Sequence, residues 1–142
     1  MRLDRDDCRG RLAGHDHAIL CTAHHERGVD AVPVVFAVDD ADHVGIPVDR
    51  VKPKASQRLQ RERNLDADPR ATLLVEHWDR ADWSQLWWVR AELEHVADPA
   101  AELVEDLSNR LRDRYRQYDR DSFTTVLVLR LGALNGWAAT SS

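Results

Sequence analysis

"HAILCTAHHERGVDAVPVVFAV" (residues 17–38) decides the fold. "HAILCTA" (17–23) is an apolar strand, "HHERG" is a turn in which Gly28 can take positive φ, and "VDAVPVVFAV" (29–38) is a second strand. Two strands joined by so short a turn form an antiparallel hairpin. Pro33 removes one backbone donor from the second strand. It therefore belongs at a sheet edge, at a bulge, or where the ladder opens for a ligand. "DDAD" then turns the chain into "HVGIPV" (43–48), a third strand. No helix separates these strands, which argues against a doubly wound parallel sheet and for a small antiparallel barrel with peripheral helices.

The rest of the chain fits that plan. Asp4 can cap a helix over 3–13 whose Leu3, Cys8 and Leu12 share a face. A second helix opens near Ser56, runs to about Asn64 with Leu59 as its anchor, and is stopped by Pro69. "ATLLVEHW" (71–78) is a strand. "WSQLWWVRAELEHV" (83–96) is a long one, with Trp87, Val89, Ala91 and Leu93 on one side and Trp88, Arg90, Glu92 and Glu94 on the other. In 98–115, Asp98 is the N-cap, Pro99 opens the helix, and Leu103, Leu107, Leu111 and Tyr115 form a stripe. "SFTTVLVLRLGAL" (122–134) is the last strand, followed by a tail holding Trp137. The expectation is an α+β chain of mainly antiparallel β, with six strands and three helices in a single domain spanning 1–142.

Bulk properties narrow the function. The chain has 142 residues, 43% hydrophobic and 32% charged, as an ordinary soluble domain has. No apolar run is long enough to span a membrane, and the charged N-terminus is not a secretory signal. Cys8 and Cys21 make no disulfide framework, so a reducing cytoplasm is expected. The net charge of −5 disfavours nucleic acid. Between Asp49 and Arg63, however, six basic residues face two acids, and the chain's two lysines, Lys52 and Lys54, lie there. A positive patch on an acidic protein suits a small anionic ligand, although a solvated helix face has the same composition.

Chemical motifs are few. The seven histidines form no HExxH or Cys-x-x-Cys frame, so no metal site is expected. No nucleophile elbow and no Gly-rich phosphate loop is present. Tryptophans stand out: Trp78, Trp83, Trp87 and Trp88 fall within eleven residues. Trp87 and Trp88 point to opposite faces of one strand, so one of them must cover a face outside the barrel core. That face could be a dimer interface, a flat aromatic ligand, or both.

The order of parts carries a resemblance. "DAVPVVF" is followed by "HVGIPVD", "KPKAS", a short helix, "NLDADPRATLLVEHW" and "LWWVRAELEHV". Over about residues 4 to 137 this resembles the pyridoxamine 5′-phosphate oxidase-like family, and within it the F420-dependent oxidoreductase branch. The resemblance implies a six-stranded split β-barrel and a homodimer with cofactor at the interface. It places the cofactor phosphate on Lys54, with Lys52 and Ser56 beside it. The Pro33–Val34 backbone would line the ring, with Ile46, Pro47 and Val48 along the same groove. Trp87 and Trp88 would reach in from the second subunit, and Trp137 would close the site. The chain lacks the oxidase's strongly basic flavin strand, which favours coenzyme F420 over FMN.

The function implied is hydride transfer from a deazaflavin to a small-molecule substrate. The alternatives are an FMN-, haem- or tetrapyrrole-binding relative acting as oxidoreductase, bilin reductase or carrier, and an interaction domain without cofactor. No catalytic acid or base is singled out; Tyr115, Tyr118 and His77 are the candidates for a proton donor.

Overall fold

The computed structural model describes residues 1–48, 59–119 and 123–140. Seven strands form one sheet: β1 (Ala18–His24), β2 (Gly28–Val34), β3 (Ala37–Val38), β4 (His43–Val48), β5 (Arg70–His77), β6 (Trp87–His95) and β7 (Thr125–Ala138). Their order is β2-β1-β5-β6-β7-β4-β3, and every pairing is antiparallel. Among the described residues three α-helices, α1 (Arg5–Gly14), α2 (Gln60–Ala67) and α3 (Ala101–Arg114), pack around it.

The sheet is curled. Leu20 of β1, Val34 of β2, Ile46 of β4, Leu73 of β5, Val89 of β6 and Leu129 of β7 belong to one buried cluster, although β2 is one end of the strand order and β4 is next to the other. Inward residues alternate with outward ones, as the pleat requires. The segment expected as one strand over 29–38 is divided, which is why there are seven strands and not six. Its first part pairs with β1 and its last two residues pair with β4, so this one segment bridges the two edges of the sheet. Pro33 accordingly sits on edge strand β2.

The break at Val35 and Phe36 leaves main-chain groups without ladder partners. Tyr115, at the C-cap of α3, meets them. Its hydroxyl accepts the Phe36 N–H at 3.4 Å and has the carbonyls of Asp16 (2.7 Å) and Phe36 (3.0 Å) within donating distance. Burial pushes the Tyr115 hydroxyl pKa up, which keeps it protonated as a donor. Arg114 donates to the carbonyls of Ala13 and His15, clipping the end of α1 to the end of α3.

Helix seating follows burial. Cys8 and Leu12 of α1 enter the barrel core, and Asp4 caps the helix by accepting the Asp7 N–H at 2.9 Å. Leu107 and Leu111 of α3 are fully buried against Ala37, Val126 and Val128 on the outer face of β3, β4 and β7. Each contributes about 1.5–3 kcal/mol by leaving water.

Four boundaries differ from the sequence expectation. The N-cap of α3 is Ala100 rather than Asp98, and α2 begins at Gln60 because Leu59 is still extended. Trp83 lies in a 3-10 turn (Trp83–Gln85), so β6 starts at Trp87. β7 runs on to Ala138 and takes Trp137 with it, where a tail was expected. The N-terminus pairs beside it, with Leu3 N–H donating to Gly136 O at 3.0 Å and Ala138 N–H to Met1 O at 2.9 Å. Among the described residues no helix is long and apolar enough to cross a membrane.

Gly10 gives a simple stability test. It lies on the exposed side of α1, and a Cβ there would meet nothing within 4 Å. Gly10→Ala is expected to raise stability by about 0.5–1 kcal/mol, which thermal unfolding reads as a rise of about 2–4 °C.

Candidate functional site

A polar cluster caps the barrel end where β1 finishes. Thr22 and Asp30 face inward as cross-strand neighbours, and α2 lays Asn64 over them. The Asn64 amide donates to Thr22 Oγ1 at 3.0 Å and to Asp30 Oδ2 at 2.9 Å. Gln60 fixes that amide by donating to its oxygen at 2.9 Å. Arg27 holds Asp30 from the other side with two bonds of 2.8 Å.

This network sets the charge of Asp30. The Arg27 guanidinium, and after it the Asn64 amide, hold the Asp30 carboxyl at about 2. A depressed folded pKa means that the carboxylate stabilises the fold above the unfolded value near 4. That contribution is lost as pH falls through about 2. A carbon-detected NMR titration is expected to place Asp30 near pH 2. In Arg27→Gln its midpoint should rise toward the ordinary 3.8. A midpoint that stays put would remove Arg27 from this role.

Arg61 sits beside that network on the first turn of α2, four residues ahead of buried Leu65, and so on the helix face that turns inward. It is half-buried, and its Nε is sealed from solvent with no hydrogen-bond partner among the described residues. Burial lowers its pKa, only partly opposed by Glu62. It borders a cleft of about 280 Å³ whose walls include Thr22, Asp30, Ala31, Val32 and Leu59. A half-buried cation whose Nε has no hydrogen-bond partner among the described residues, at the wall of a cleft, is suited to a bound anion.

A second feature is the outer face of β1, β2 and β5. The outward side chains Ile19, Cys21, Val29, Ala31, Pro33 and Leu74 are exposed or half-buried there, whereas α3 covers the outer face of β3, β4 and the first part of β7. Trp88 and Trp137 are paired across β6 and β7 on the same outer surface, and Arg90 stacks on Trp88 at 5.4 Å. Trp137 is 37% exposed. A cavity of about 560 Å³ opens on this surface between Cys21, Thr72, Glu92 and Gly132.

The expected site residues divide accordingly. Lys52, Lys54 and Ser56 lie outside the described residues. Pro33 is exposed on edge strand β2, while the Val34 side chain is in the core. Ile46 and Val48 are fully buried in the core and Pro47 is buried on the opposite side of β4. Those four side chains are held by packing, so Val34, Ile46, Pro47 and Val48 can offer a ligand main chain only. β3 pairs with β4 no further than Gly45, so among the described residues β4 is an edge beyond it.

Trp88 and Trp137 share the outer surface, but Trp87 does not: it turns inward against the core. Of the proton-donor candidates, the Tyr115 hydroxyl is engaged at the seam, Tyr118 packs edge-on to Phe123 at 4.9 Å, and His77 is exposed beside Trp87. Among the described residues no three His, Cys, Asp or Glu side chains converge as a metal site. Arg61 was not distinguished from its basic neighbours in the sequence. Its spacing from Leu65 was the available signal.

No family model and no curated protein matches the chain. Solved structures do. An FAD-binding protein from Mesorhizobium loti aligns with a TM-score of 0.67 at 14% identity, over 96% of this chain and 93% of that one. HutZ, the haem storage protein from Vibrio cholerae, aligns at 0.65 and 13%, over 94% of each chain. The FAD-binding protein from Mycobacterium smegmatis aligns at 0.56 and 13%, over 96% and 94%. At these identities the likeness establishes the fold, a split β-barrel with peripheral helices.

Proposed function

We propose that this chain is a split-barrel oxidoreductase that binds a planar redox cofactor with an anionic tail, a flavin or its deazaflavin counterpart coenzyme F420, in a homodimer. The observation that carries this reading is Arg61, a half-buried cation whose Nε has no partner among the described residues, at the wall of an open cleft. Two of the structures aligned above are named as FAD-binding, which supports the flavin class. The apolar face of β1, β2 and β5, uncovered among the described residues, supports a second copy as its cover.

A bound flavin or deazaflavin supplies hydride transfer. This chain's residues then bind and orient. Arg61 neutralises tail charge, with Lys52, Lys54 and Ser56 as further candidates. Exposed Pro33 and the main chain of Val34 border the ring. Trp88 and Trp137 exclude water from the outer face. The substrate is a small molecule.

Haem is the second reading, favoured by the likeness to HutZ; a propionate would then take the place of the phosphate at Arg61. Absorbance and tryptophan-fluorescence titrations of the purified protein with F420, FMN, FAD and haemin test the proposal. Saturable binding of F420 or a flavin below about 100 μM is expected, together with a dimeric mass in sedimentation. Turnover of the bound cofactor with candidate acceptors then tests hydride transfer. Binding of haemin alone would favour the second reading, and binding of none would overturn both. Comparison of Arg61→Gln with Lys54→Ala decides which cation grips the tail.

A further inference from the structure

The junction between α1 and β1 brings histidines together. Only residues 15–17 separate Gly14, the end of α1, from Ala18, the start of β1. His15 is half-buried and is the C-cap of α1, its N–H donating to Leu12 O at 3.3 Å. Its ring stands nearly perpendicular to Trp87, at 79°, with centroids 5.4 Å apart, and the His17 ring lies 5.5 Å away. His77, at the end of β5, stacks on the same Trp87 ring at 6.2 Å. The Arg11 guanidinium carbon, from α1, is 5.1 Å from that ring's centroid. Asp16 and Glu76 are the carboxylates that act on His15.

The main chain of the same junction holds the seam. His15 O accepts from Arg114, whose guanidinium carbon lies 5.2 Å from the centroid of the Phe36 ring. Asp16 O lies 2.7 Å from the Tyr115 hydroxyl, which accepts the Phe36 N–H at 3.4 Å. Both links run from the His15–Asp16 backbone to the break between β2 and β3. Three residues between two packed elements leave little slack. A His15 ring that leaves for water therefore draws these carbonyls with it.

We propose that this junction is an acid-sensitive latch: the neutral His15 ring keeps the break between β2 and β3 closed, and protonation of His15 releases it. An imidazolium needs an acceptor or water at both nitrogens, and a half-buried ring against Trp87 is poorly placed to have them. The new cation would also stand beside the Arg11 guanidinium, with His17 and His77 as further bases.

The titration runs in the same direction. Burial, then His17, and more weakly His77, lower the pKa of His15 from the ordinary 6.5, against the opposing carboxylates of Asp16 and Glu76. A histidine whose folded value is depressed stabilises the fold in its neutral form. That contribution is complete above 6.5 and is lost as pH falls through the folded value. The latch lies at the other end of β1 from Thr22 and the Arg61 cleft, so it stands whichever ligand that cleft takes.

Amide exchange of the full chain, divided by the intrinsic rate at each pH, tests the latch. Between about pH 8 and pH 5, opening at His15 and Phe36 is expected to rise about threefold or more, while Leu73 and Val89 keep their protection. Imidazole NMR should place the rise on the His15 titration, with a midpoint below 6.5. His15→Phe keeps an aromatic ring against Trp87 and takes no proton, so the rise should vanish. Should that variant fail to fold, His17→Asn gives the test: the His15 midpoint should move up toward 6.5 and the rise should shrink. Opening at Phe36 that does not depend on pH, an undiminished rise in His15→Phe, an unmoved His15 midpoint in His17→Asn, or an equal rise at Leu73 and Val89 would overturn the proposal.

Discussion

Arg61→Gln is expected to weaken cofactor binding by about 10- to 100-fold, the value of one charge-assisted bond, while leaving thermal stability unchanged or higher. The two halves share one cause. The guanidinium is charged at every accessible pH, yet it is half-buried and its Nε has no acceptor among the described residues. A base whose folded pKa is depressed is destabilising in its charged form, and burial is the leading cause at Arg61. Glutamine removes that charge and keeps a polar side chain beside the cleft. A bound anion reverses the balance by giving the cation its partner. A residue that weakens the empty protein and strengthens the loaded one marks a binding site, because packing alone would select against it. Fluorescence titration gives the affinity and circular dichroism the melting temperature. A lower melting temperature with unchanged affinity would reassign Arg61 to packing by its aliphatic stem.

Much of this frame can be read from residue order, because periodicity reports which face is buried. Cys8 and Leu12 on α1, Leu107 and Leu111 on α3, and Trp87 to Leu93 on β6 all occupy the faces that their spacing assigns, whereas Leu3, expected in the first helix, precedes α1 and pairs with Gly136. The misread segments are those where tertiary contacts replace a local signal. "NGWAATSS" reads as a tail after a strand that ends at Leu134. In the fold Gly136 is a close-approach residue: a Cβ there would lie 2.7 Å from Cys8 Sγ and 3.0 Å from the Trp88 carbonyl. The strand continues through it because the N-terminal residues pair alongside. The division between β2 and β3 has only Pro33 as a local signal, since "VVFAV" after it is an apolar run with no turn residue. It is imposed by the seam and held from a distance by Tyr115. The candidate cleft is obscured by composition. Two lysines among arginines draw attention, whereas Arg61 becomes distinctive only when its burial is known.

The seam also predicts the largest stability effect, at Gly45. On the face of β4 that α3 covers, a Cβ at Gly45 would lie 2.9 Å from the Leu107 Cβ, 3.0 Å from Val126 Cγ1 and 3.3 Å from Leu107 Cδ1. The first of these atoms is anchored to the helix backbone, so a rotamer change cannot clear it. Gly45→Val would have to lift α3 from the sheet or distort β4. Overpacking of this kind costs about 1–3 kcal/mol, and partial exposure of Leu107 adds to it. A loss of about 3 kcal/mol or more is expected, read as a fall of about 10 °C in melting temperature. The damage should reach the seam, because Tyr115 caps the same helix and holds Phe36. Amide exchange at Phe36 should therefore accelerate more than at Leu73 or Val89, which lie in the part of the core away from α3. Gly45→Ala places only the Cβ and should show a smaller loss in the same pattern. If Gly45→Val unfolds within about 0.5 kcal/mol of the parent, α3 is not seated on β4 as described, and the seam must be held by something other than Tyr115.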